Sequence, residues 1–303
     1  MPIAPLSPDV VRQKISGIDV VEPSPICGGF KAVYRAIVRG KTEALKILTI
    51  KRGDDPDLEE AYVQEQLARV GREIDALAKS KCPEIVKLGS IAPQDFDVET
   101  EKYFAYSEEF ISGKNLWDLL RDGSRMPPEL PELLVLFIAL LNCVEELWAL
   151  GYVHRDIKPQ NVMKTGDVTR PFVLLDLGIA YAVHEVGLTY RPGERMPLAT
   201  YRYLAPEMME PDFRDRLDFR TDLYTTGMTV YEYAAGKHPL ARDTDDLMRT
   251  ISRALRQPPT PLQNHRADLP RAFCELIDTF LKKKPALRPA NLTLVRRKLE
   301  DLR

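Results

Sequence analysis

Short apolar and β-branched runs, separated by glycine and by charged residues, dominate the chain up to about residue 110. Between about residues 19 and 50 these runs predict three strands. Two more strand-like runs lie near Ile85 to Ile91 and Tyr103 to Phe110. Between the two groups, one stretch repeats apolar residues at helical spacing and predicts a single long helix. The repeating residues are Leu67, Val70, Ile74 and Leu77.

Helical patterns dominate after the turn at residues 112–114. The most apolar stretch runs from Leu133 to Leu150, and acidic residues interrupt it, so it predicts a buried helix and not a membrane span. Near the start of the chain, Ser7 and Pro8 form a helix-start signal that predicts a short helix over about residues 8 to 15. The pattern therefore predicts two parts, one rich in strands and one mainly helical.

Composition and charge narrow the functional classes only a little. The 303 residues are 44% hydrophobic, which is enough to bury a large core. Lys and Arg number 43 against 45 Asp and Glu, so the net charge of −2 gives no electrostatic case for binding nucleic acid. The four cysteines are scattered without the paired spacing of a zinc site. The N-terminus lacks the basic start and apolar core of a secretion signal, so a cytoplasmic protein is the default expectation.

The segment HRDIKPQN, residues 154–161, carries the clearest chemistry in the chain. Asp156 is able to accept the proton of a hydroxyl group, and Lys158 is able to neutralise a phosphoryl group in transfer. The amide oxygen of Asn161 is a suitable ligand for a divalent metal. Together these three side chains indicate phosphoryl transfer to an alcohol.

The order and spacing of this segment resemble the catalytic loop of the eukaryotic-type serine/threonine protein kinases. Asp176, Leu177 and Gly178 stand where that family has its metal-binding DFG, directly after the strand-like run at residues 172–175. Ala205, Pro206 and Glu207 match the APE that closes the activation segment, and Arg288 matches the arginine that pairs with its glutamate.

The resemblance implies an α+β, bilobal protein kinase fold. Its small β-rich N-lobe would contain one long helix, and its larger C-lobe would be mainly helical. On this basis residues 1–18 form an N-terminal extension with a short helix, residues 19–110 the N-lobe, and residues 111–303 the hinge and the C-lobe.

The same resemblance implies roles for the catalytic residues. Asp156 would be the catalytic base and Lys158 would stabilise the transferred charge, while Asn161 and Asp176 would hold Mg²⁺ and ATP would be the phosphoryl donor. Thr200 matches a threonine that bridges Asp156 and Lys158 in serine/threonine kinases. Four residues would be structural: His154, Asp222, Glu207 and Arg288. The carboxylate of Asp222 would hydrogen-bond the backbone of the catalytic loop, and Glu207 would pair with Arg288.

Lys46 lies in the apolar run ALKIL, where an unpaired buried ammonium group would be costly. Its expected partner is Glu73, which falls on the margin of the apolar stripe of the long helix. The resemblance implies that Glu73 orients Lys46 towards the phosphates of ATP, and that Ala44 and Met163 also contact the nucleotide.

Two nucleotide-binding segments depart from the family pattern. In ICGGFKAV, Val33 is in place and Gly28 and Gly29 are present, but Ile26 replaces the first glycine of the family, and a plain hairpin turn stays open as an alternative. In EEFISG, the alignment places the adenine contacts at Glu109 and Ile111. Glu108 then occupies the gatekeeper position, where it is expected to bond a neighbouring polar group or alter nucleotide preference. A register misplaced by one residue is the alternative.

Regulation and substrate follow from the resemblance as further expectations. Arg155 matches an arginine that binds a phosphorylated activation-loop residue, with Thr189 and Tyr190 as candidate acceptors. The expected partner is a protein with a Ser or Thr acceptor, and self-phosphorylation is an expected reaction. Two other classes stay open: a pseudokinase scaffold with weakened nucleotide binding, and a small-molecule kinase.

Overall fold

The computed structural model describes residues 5–28, 31–50, 56–177, 181–182, 201–210, 217–242 and 244–303. Its contacts divide the chain into two compact units, Met1–Lys79 with Val86–Ile111, and Ser80–Ile85 with Ser112–Arg303. We call these the first and the second unit. The segment boundaries expected after residues 18 and 110 stay predictions.

The first unit is built on an antiparallel sheet with the strand order β1-β3-β4-β6-β5, in which β2 also pairs with β3. Two helices, one short and one long, accompany the sheet. The helices are α1 (Pro8–Lys14) and α2 (Pro56–Lys79), and the strands are β1 (Ile18–Val21), β2 (Ile26–Gly28), β3 (Lys31–Val38), β4 (Lys41–Ile50), β5 (Gln94–Val98) and β6 (Glu101–Glu109).

Period-two alternation gives this sheet two different faces. Tyr34 of β3 is opposite Leu45 of β4, and both side chains lie in the hydrophobic core of the unit. The neighbouring pair in the register, Val33 and Lys46, therefore faces the other side. One face thus holds the core, and the opposite face presents Lys46.

Helix α1 covers the core face. Ser7 caps its first turn by accepting a hydrogen bond from the backbone N–H of Val10, and Val11 and Ile15 are buried in the core of the sheet. The hydroxyl of Tyr34 donates to the carbonyl of Leu6 at 2.9 Å. The short helix predicted over residues 8 to 15 is therefore present, and it is part of the first unit's core.

One predicted strand is wrong. The run Ile85 to Ile91 forms only isolated bridges, of Ile85 with Leu174 and of Leu88 with Glu108. Three backbone hydrogen bonds join this run to β6, from Gly89 to Ser107, from Ser107 to Ile91 and from Glu109 to Lys87, but they do not form a regular strand. The strands that pair with β6 are β4 and β5. The sequence of β5, QDFDV, has acidic residues at alternate positions because this strand lies at the edge of the sheet.

The second unit is mainly helical, with two small antiparallel sheets of order β10-β9-β7 and β11-β8. No helix in the described ranges is both long and apolar enough to cross a membrane. The strands are β7 (Gly113–Asn115), β8 (Tyr152–Val153), β9 (Val162–Thr165), β10 (Phe172–Leu174) and β11 (Tyr181–Ala182). The helices are α3 (Leu116–Arg121), α4 (Leu130–Ala149), α5 (Phe219–Ala235), α6 (Leu247–Arg256), α7 (Arg271–Phe280) and α8 (Leu292–Glu300).

Helix α4 is the predicted apolar helix, and it forms the centre of this unit. The Phe137 ring packs edge-on against Phe273 and Phe280 of α7, with ring centroids 6.3 and 5.0 Å away. Helix α5 packs beside it and is buried along most of its length. These contacts fix the position of α5, which in turn supports residues 154–157.

Candidate active site

Lys46 is the centre of a buried charged cluster in the first unit. Its ammonium group donates to Oε1 of Glu73 at 3.1 Å and to Oε1 of Glu108 at 2.5 Å. The three side chains are only 3–5% exposed. The ion pair expected between Lys46 and Glu73 is thus present, but Lys46 has a second acidic partner.

The sheet register explains why Glu108 reaches Lys46. Residue Ala44 is opposite Glu108 and Lys46 is opposite Tyr106, so all four side chains belong to the same face of β4 and β6. Burial raises the pKa of the Glu108 carboxyl, the Lys46 charge lowers it, and the Glu73 charge raises it further. Glu108 bonds a neighbouring polar group, which is one of its two expected behaviours, and its place in the family alignment stays a prediction.

The other nucleotide-binding candidates of the first unit lie at strand ends. Ile26 is opposite Val33, and Gly28 is opposite Lys31 where β2 meets β3. Ile26 is 78% exposed, so its side chain is not part of the core. This hairpin geometry agrees with the phosphate-loop interpretation and with the plain turn alike.

The hinge candidates lie where β6 ends. The backbone N–H of Glu109 donates to the carbonyl of Lys87, and the carboxylate of Glu109 accepts from the backbone N–H of Lys87, each at 2.9 Å. Ile111 follows the strand and is partly exposed. Their contacts with adenine stay predictions.

Asp156 is held by two of the residues that the motif predicted beside it. Its Oδ2 accepts from the Lys158 ammonium at 2.6 Å and from Nδ2 of Asn161 at 3.1 Å. Asn161 Nδ2 also donates to the backbone carbonyl of Asp156 at 2.9 Å. The other oxygen, Oδ1, accepts no hydrogen bond from the described residues. Burial raises the pKa of Asp156, Lys158 lowers it, and the Asp176 charge raises it further.

The backbone before Asp156 is anchored to α5. The Asp222 carboxylate accepts from the backbone N–H groups of His154 and Arg155, both at 2.7 Å. Arg155 has φ 69°, a left-handed conformation that side chains other than glycine seldom adopt. Burial raises the pKa of Asp222 to about 7, and the two N–H donors oppose that rise. The contact predicted for Asp222 is present, and it stabilises a strained backbone.

His154 is fully buried, and burial lowers its pKa to about 4 even though the Asp176 charge opposes this. Its Nδ1 accepts from the backbone N–H of Asp156 at 3.2 Å. A neutral, enclosed imidazole agrees with the structural role expected for it.

Asp176 follows β10, the strand predicted at residues 172–175. The backbone of Asp176 is left-handed, with φ 61°, a conformation that costs energy for a residue other than glycine. The backbone N–H of Leu175 donates to the carbonyl of Asn161 at 2.7 Å, which links the segments that carry Asn161 and Asp176. Met163, a nucleotide candidate, lies on the central strand β9 opposite Asn115 and Val173.

The donor set of this region suits Mg²⁺. Asn161 uses its Nδ2 for both hydrogen bonds to Asp156, so its Oδ1 is the atom left for a ligand. An amide oxygen and the Asp176 carboxylate are hard oxygen ligands, and Mg²⁺ is commonly held by one or two such protein groups together with substrate phosphates. The residues present therefore fit the expected ion.

Glu207 and Arg288 form the predicted structural pair. Two guanidinium nitrogens of Arg288 donate to the two carboxylate oxygens of Glu207, at 2.6 and 2.8 Å. The fork geometry is the strong form of this ion pair. Arg288 also donates to the carbonyl of Arg220, at the start of α5.

Five of the predicted residues lie outside the described ranges, so the structure says nothing about them. They are Gly29, Gly178, Thr189, Tyr190 and Thr200. Arg155 itself is buried, and its role in binding a phosphorylated residue stays a prediction.

Sequence reasoning missed one pair close to the catalytic loop. The hydroxyl of Tyr203 donates to Oε2 of Glu232 on α5 at 2.5 Å. Burial and the Glu232 charge raise the pKa of Tyr203, and the Asp156 charge adds to this. The available signal was a glutamate in the otherwise apolar and uncharged run YEYAA.

The sequence matches the family described as protein kinase domain over residues 27–299. The chain belongs to the protein kinase domain family. Among solved structures, it is similar to Rad53 in complex with AMP-PNP, with a TM-score of 0.66 and 23% identity, over 94% of this chain and 64% of that one. This likeness confirms the predicted α+β kinase fold.

Curated relatives from bacteria are similar over most of the chain. One is a probable serine/threonine-protein kinase of Streptomyces coelicolor, 32% identical over 72% of this chain and 30% of its own length. Another is the probable serine/threonine-protein kinase PknB of Corynebacterium glutamicum, 27% identical over 87% of this chain and 38% of its own. The chain thus spans roughly a third of the length of these relatives.

Proposed function

We propose that this chain transfers the γ-phosphoryl group of ATP to Ser or Thr hydroxyl groups of proteins. The proposal rests on the hydrogen bonding of the two carboxylate oxygens of Asp156. One carboxylate oxygen is fixed by Lys158 and Asn161, and the other has no hydrogen-bond donor among the described residues. A buried acceptor without a donor is costly, so a substrate hydroxyl is a natural partner for Oδ1.

In this mechanism, Asp156 orients the acceptor hydroxyl and takes its proton through Oδ1. Lys158 is already 2.6 Å from the same carboxylate, which places an ammonium group where negative charge develops on the transferred phosphoryl group. Asn161 and Asp176 would hold Mg²⁺. When bound, this ion neutralises phosphate charge and orients the phosphoryl group for in-line transfer.

Lys46 would bind the phosphates of ATP through its ammonium group, and Glu73 would hold that group in place. Ala44, Val33, Met163, Glu109 and Ile111 would contact the rest of the nucleotide, and Ile26, Gly28 and Gly29 would lie near its phosphates. The serine/threonine-protein kinase names of the bacterial relatives support the substrate class.

A pseudokinase scaffold is the second candidate. Its support is Glu108, which bonds the same ammonium group that would bind phosphate. The alternative of a small-molecule kinase has less support, because the Glu207–Arg288 pair belongs to the activation segment of protein-directed enzymes.

The test is transfer of radiolabelled phosphate from MgATP to the chain itself and to a generic protein substrate. We expect label on Ser and Thr, identified by phosphoamino-acid analysis, and at least a hundredfold lower rate for Asp156→Asn. Unlabelled wild-type protein that still binds ATP would support the scaffold. Label that persists in the variant would contradict the role of Asp156.

A further inference from the structure

A cavity of about 540 Å³ lies in the second unit. It is bounded by α3, by the C-terminal end of α5 and by α6. The connecting residues 236–242 and part of the segment 257–265 complete its wall.

Among the described residues that line this cavity, cations outnumber acids, although the chain as a whole carries a net charge of −2. Glu232 is the acidic residue in that described lining, and the hydroxyl of Tyr203 donates to its carboxylate. A second carboxylate, that of Asp245, lies 2.7 Å from the guanidinium group of Arg253, which lines the cavity. The cationic lining residues are Arg121, Arg202, Lys237, Arg242 and Arg253.

Among the described residues, five cations line the cavity, against the carboxylate of Glu232 and that of the neighbouring Asp245. The wall also contains two histidines. Burial lowers the pKa of His238 to about 3, and the charge of Arg202 lowers it further. Burial and the charge of Lys237 lower the pKa of His265. Both imidazoles are therefore neutral at pH 7, and the positive charges of the described wall belong to the arginines and the lysine.

The cavity adjoins the catalytic loop through two elements of the same unit. Thr229 of α5 donates to the carbonyl of Ile157, one residue after Asp156. Helix α3 contacts the turn Pro159–Asn161. Burial and the Glu232 charge raise the pKa of the Tyr203 hydroxyl, which bonds Glu232 at the cavity, and the Asp156 charge adds to this.

We propose that this cavity binds an anionic side chain of the protein substrate, a carboxylate or a phosphate, near the residue that receives the phosphoryl group. The inference rests on the proposed function and adds a substrate class to it. Arginine guanidinium groups suit both anions because their planar fork donates two hydrogen bonds at once. Partly exposed cations beside a reaction site select substrates by charge complementarity.

The test compares one peptide with a central Thr in four versions. The flanking residues are Glu, phosphoserine, neutral Gln or Lys, and kcat and KM are measured separately for each. We expect roughly tenfold higher kcat/KM for one or both anionic peptides than for the neutral one, mostly through KM. The Glu and phosphoserine versions distinguish a carboxylate from a phosphate as the preferred anion.

Two double variants probe the cavity. Lys237→Ala with Arg242→Ala should remove most of the preference, and Lys237→Glu with Arg242→Glu should shift it towards the Lys peptide. Turnover of the neutral peptide should stay unchanged, since neither residue is part of the catalytic machinery. The control is Arg297→Glu with Lys298→Glu, two exposed residues on α8 that do not line the cavity.

A binding assay separates this inference from the proposed function. Fluorescence anisotropy of the Glu and phosphoserine peptides, with Ala in place of Thr, reports affinity without catalysis. Equal kcat/KM for all four peptides, or equal loss in the control variant, would overturn the inference while leaving kinase activity intact. An inactive chain that still binds the anionic peptides through Lys237 and Arg242 would retain the site and reject the proposed function.

Discussion

At the scale of single residues, Lys46 is shared between two buried carboxylates, Glu73 and Glu108. Such a cluster has an excess of negative charge when both acids are ionised, and taking charges out of water is costly. A phosphate that binds Lys46 must therefore compete with Glu108. In the proposed nucleotide site, Glu108 is therefore expected to lower the affinity for phosphate.

We expect Glu108→Gln to bind MgAMP-PNP more tightly than the wild type. The substitution keeps the size of the side chain and removes one buried negative charge beside Lys46. The gain should be roughly threefold to tenfold, which corresponds to about 1 kcal/mol. Isothermal titration calorimetry measures it without any catalytic step.

The matched change is Glu73→Gln, which removes the other carboxylate. It should weaken nucleotide binding or lower kcat, because Glu73 orients Lys46 in the proposed mechanism. If both variants change affinity in the same direction and by the same factor, Glu108 and Glu73 are equivalent partners and the proposed difference between them is wrong.

At the scale of elements, α5 supports the backbone of His154 and Arg155 through Asp222. Its carboxylate satisfies two backbone N–H groups and keeps Arg155 in a left-handed conformation. Buried donors that lose their acceptor typically cost about 1–3 kcal/mol each. The geometry of Asp156 therefore depends on a residue that has no role in the chemistry itself.

Asp222→Asn places an amide N–H₂ opposite one of the two backbone donors. We expect the free energy of unfolding to fall by about 1–3 kcal/mol and kcat to fall, with little change in KM for ATP. Urea denaturation and steady-state kinetics check the two effects. The control on the same helix is Thr226→Val: the Thr226 hydroxyl is buried and has no hydrogen-bond partner within the described ranges, so this change should be neutral.

Helix α1 is the second element whose contacts make a quantitative prediction. Ile15 follows its last turn and is 1% exposed in the core of the sheet, so Ile15→Ala should lower the free energy of unfolding by about 2–5 kcal/mol. Gln13→Ala, at an exposed position of α1, should change it by less than about 0.5 kcal/mol. Equal stability of both variants would show that α1 does not pack on the sheet in solution.

At the scale of the whole molecule, two buried neutral histidines make stability depend on pH. The pKa of His154 is about 4 and that of His238 about 3, both below the ordinary value near 6.5. In the unfolded chain these two imidazoles take up protons as the pH falls below 6.5. In the folded protein they stay neutral until the pH approaches 4 for His154 and 3 for His238. Their stabilising contribution is therefore complete above about pH 6.5 and decreases as the pH falls towards 4 and then 3.

The loss in the free energy of unfolding should reach on the order of 3 kcal/mol for each histidine. Asp222 has the opposite effect between pH 7 and 3.8, because its raised pKa lets the folded protein take up a proton first. Protonation of His238 would also remove the Nδ1 acceptor used by the backbone N–H groups of Leu240 and Ala241. We expect free energies of unfolding measured from pH 7.5 to 4.5 to decrease more steeply in the wild type than in His238→Gln. Parallel curves for the two proteins would contradict this assignment.

The short motif at residues 154–161 predicted side chains that the structure brings into contact, because these residues are close in the sequence. Asp156, Lys158 and Asn161 lie within six residues, and the side chains of Lys158 and Asn161 both donate to Asp156. The spacing of the motif was therefore enough to predict that these side chains are neighbours. The Lys46–Glu73 pair was accessible for another reason: a buried ammonium group requires an acidic partner.

Long-range arrangements had no comparable signal. The cationic cavity combines residues from Arg121 to Arg253, which only the packing of α3, α5 and α6 brings together. The bond between Glu108 and Lys46 depends on the register of β4 and β6. Strand β5 was missed because an edge strand with alternating aspartates does not show the apolar pattern of a buried one.

The position of α1 has a further consequence for how a binding protein would affect the sheet that carries Lys46. Tyr34 and Lys46 belong to neighbouring strands but to opposite faces of one sheet, and α1 covers the Tyr34 face. A binding protein that captured the first fifteen residues would uncover an apolar strip on β3 and loosen the strand next to Lys46. Such an effector would act at long range, and it would do so without occupying the nucleotide site or resembling ATP.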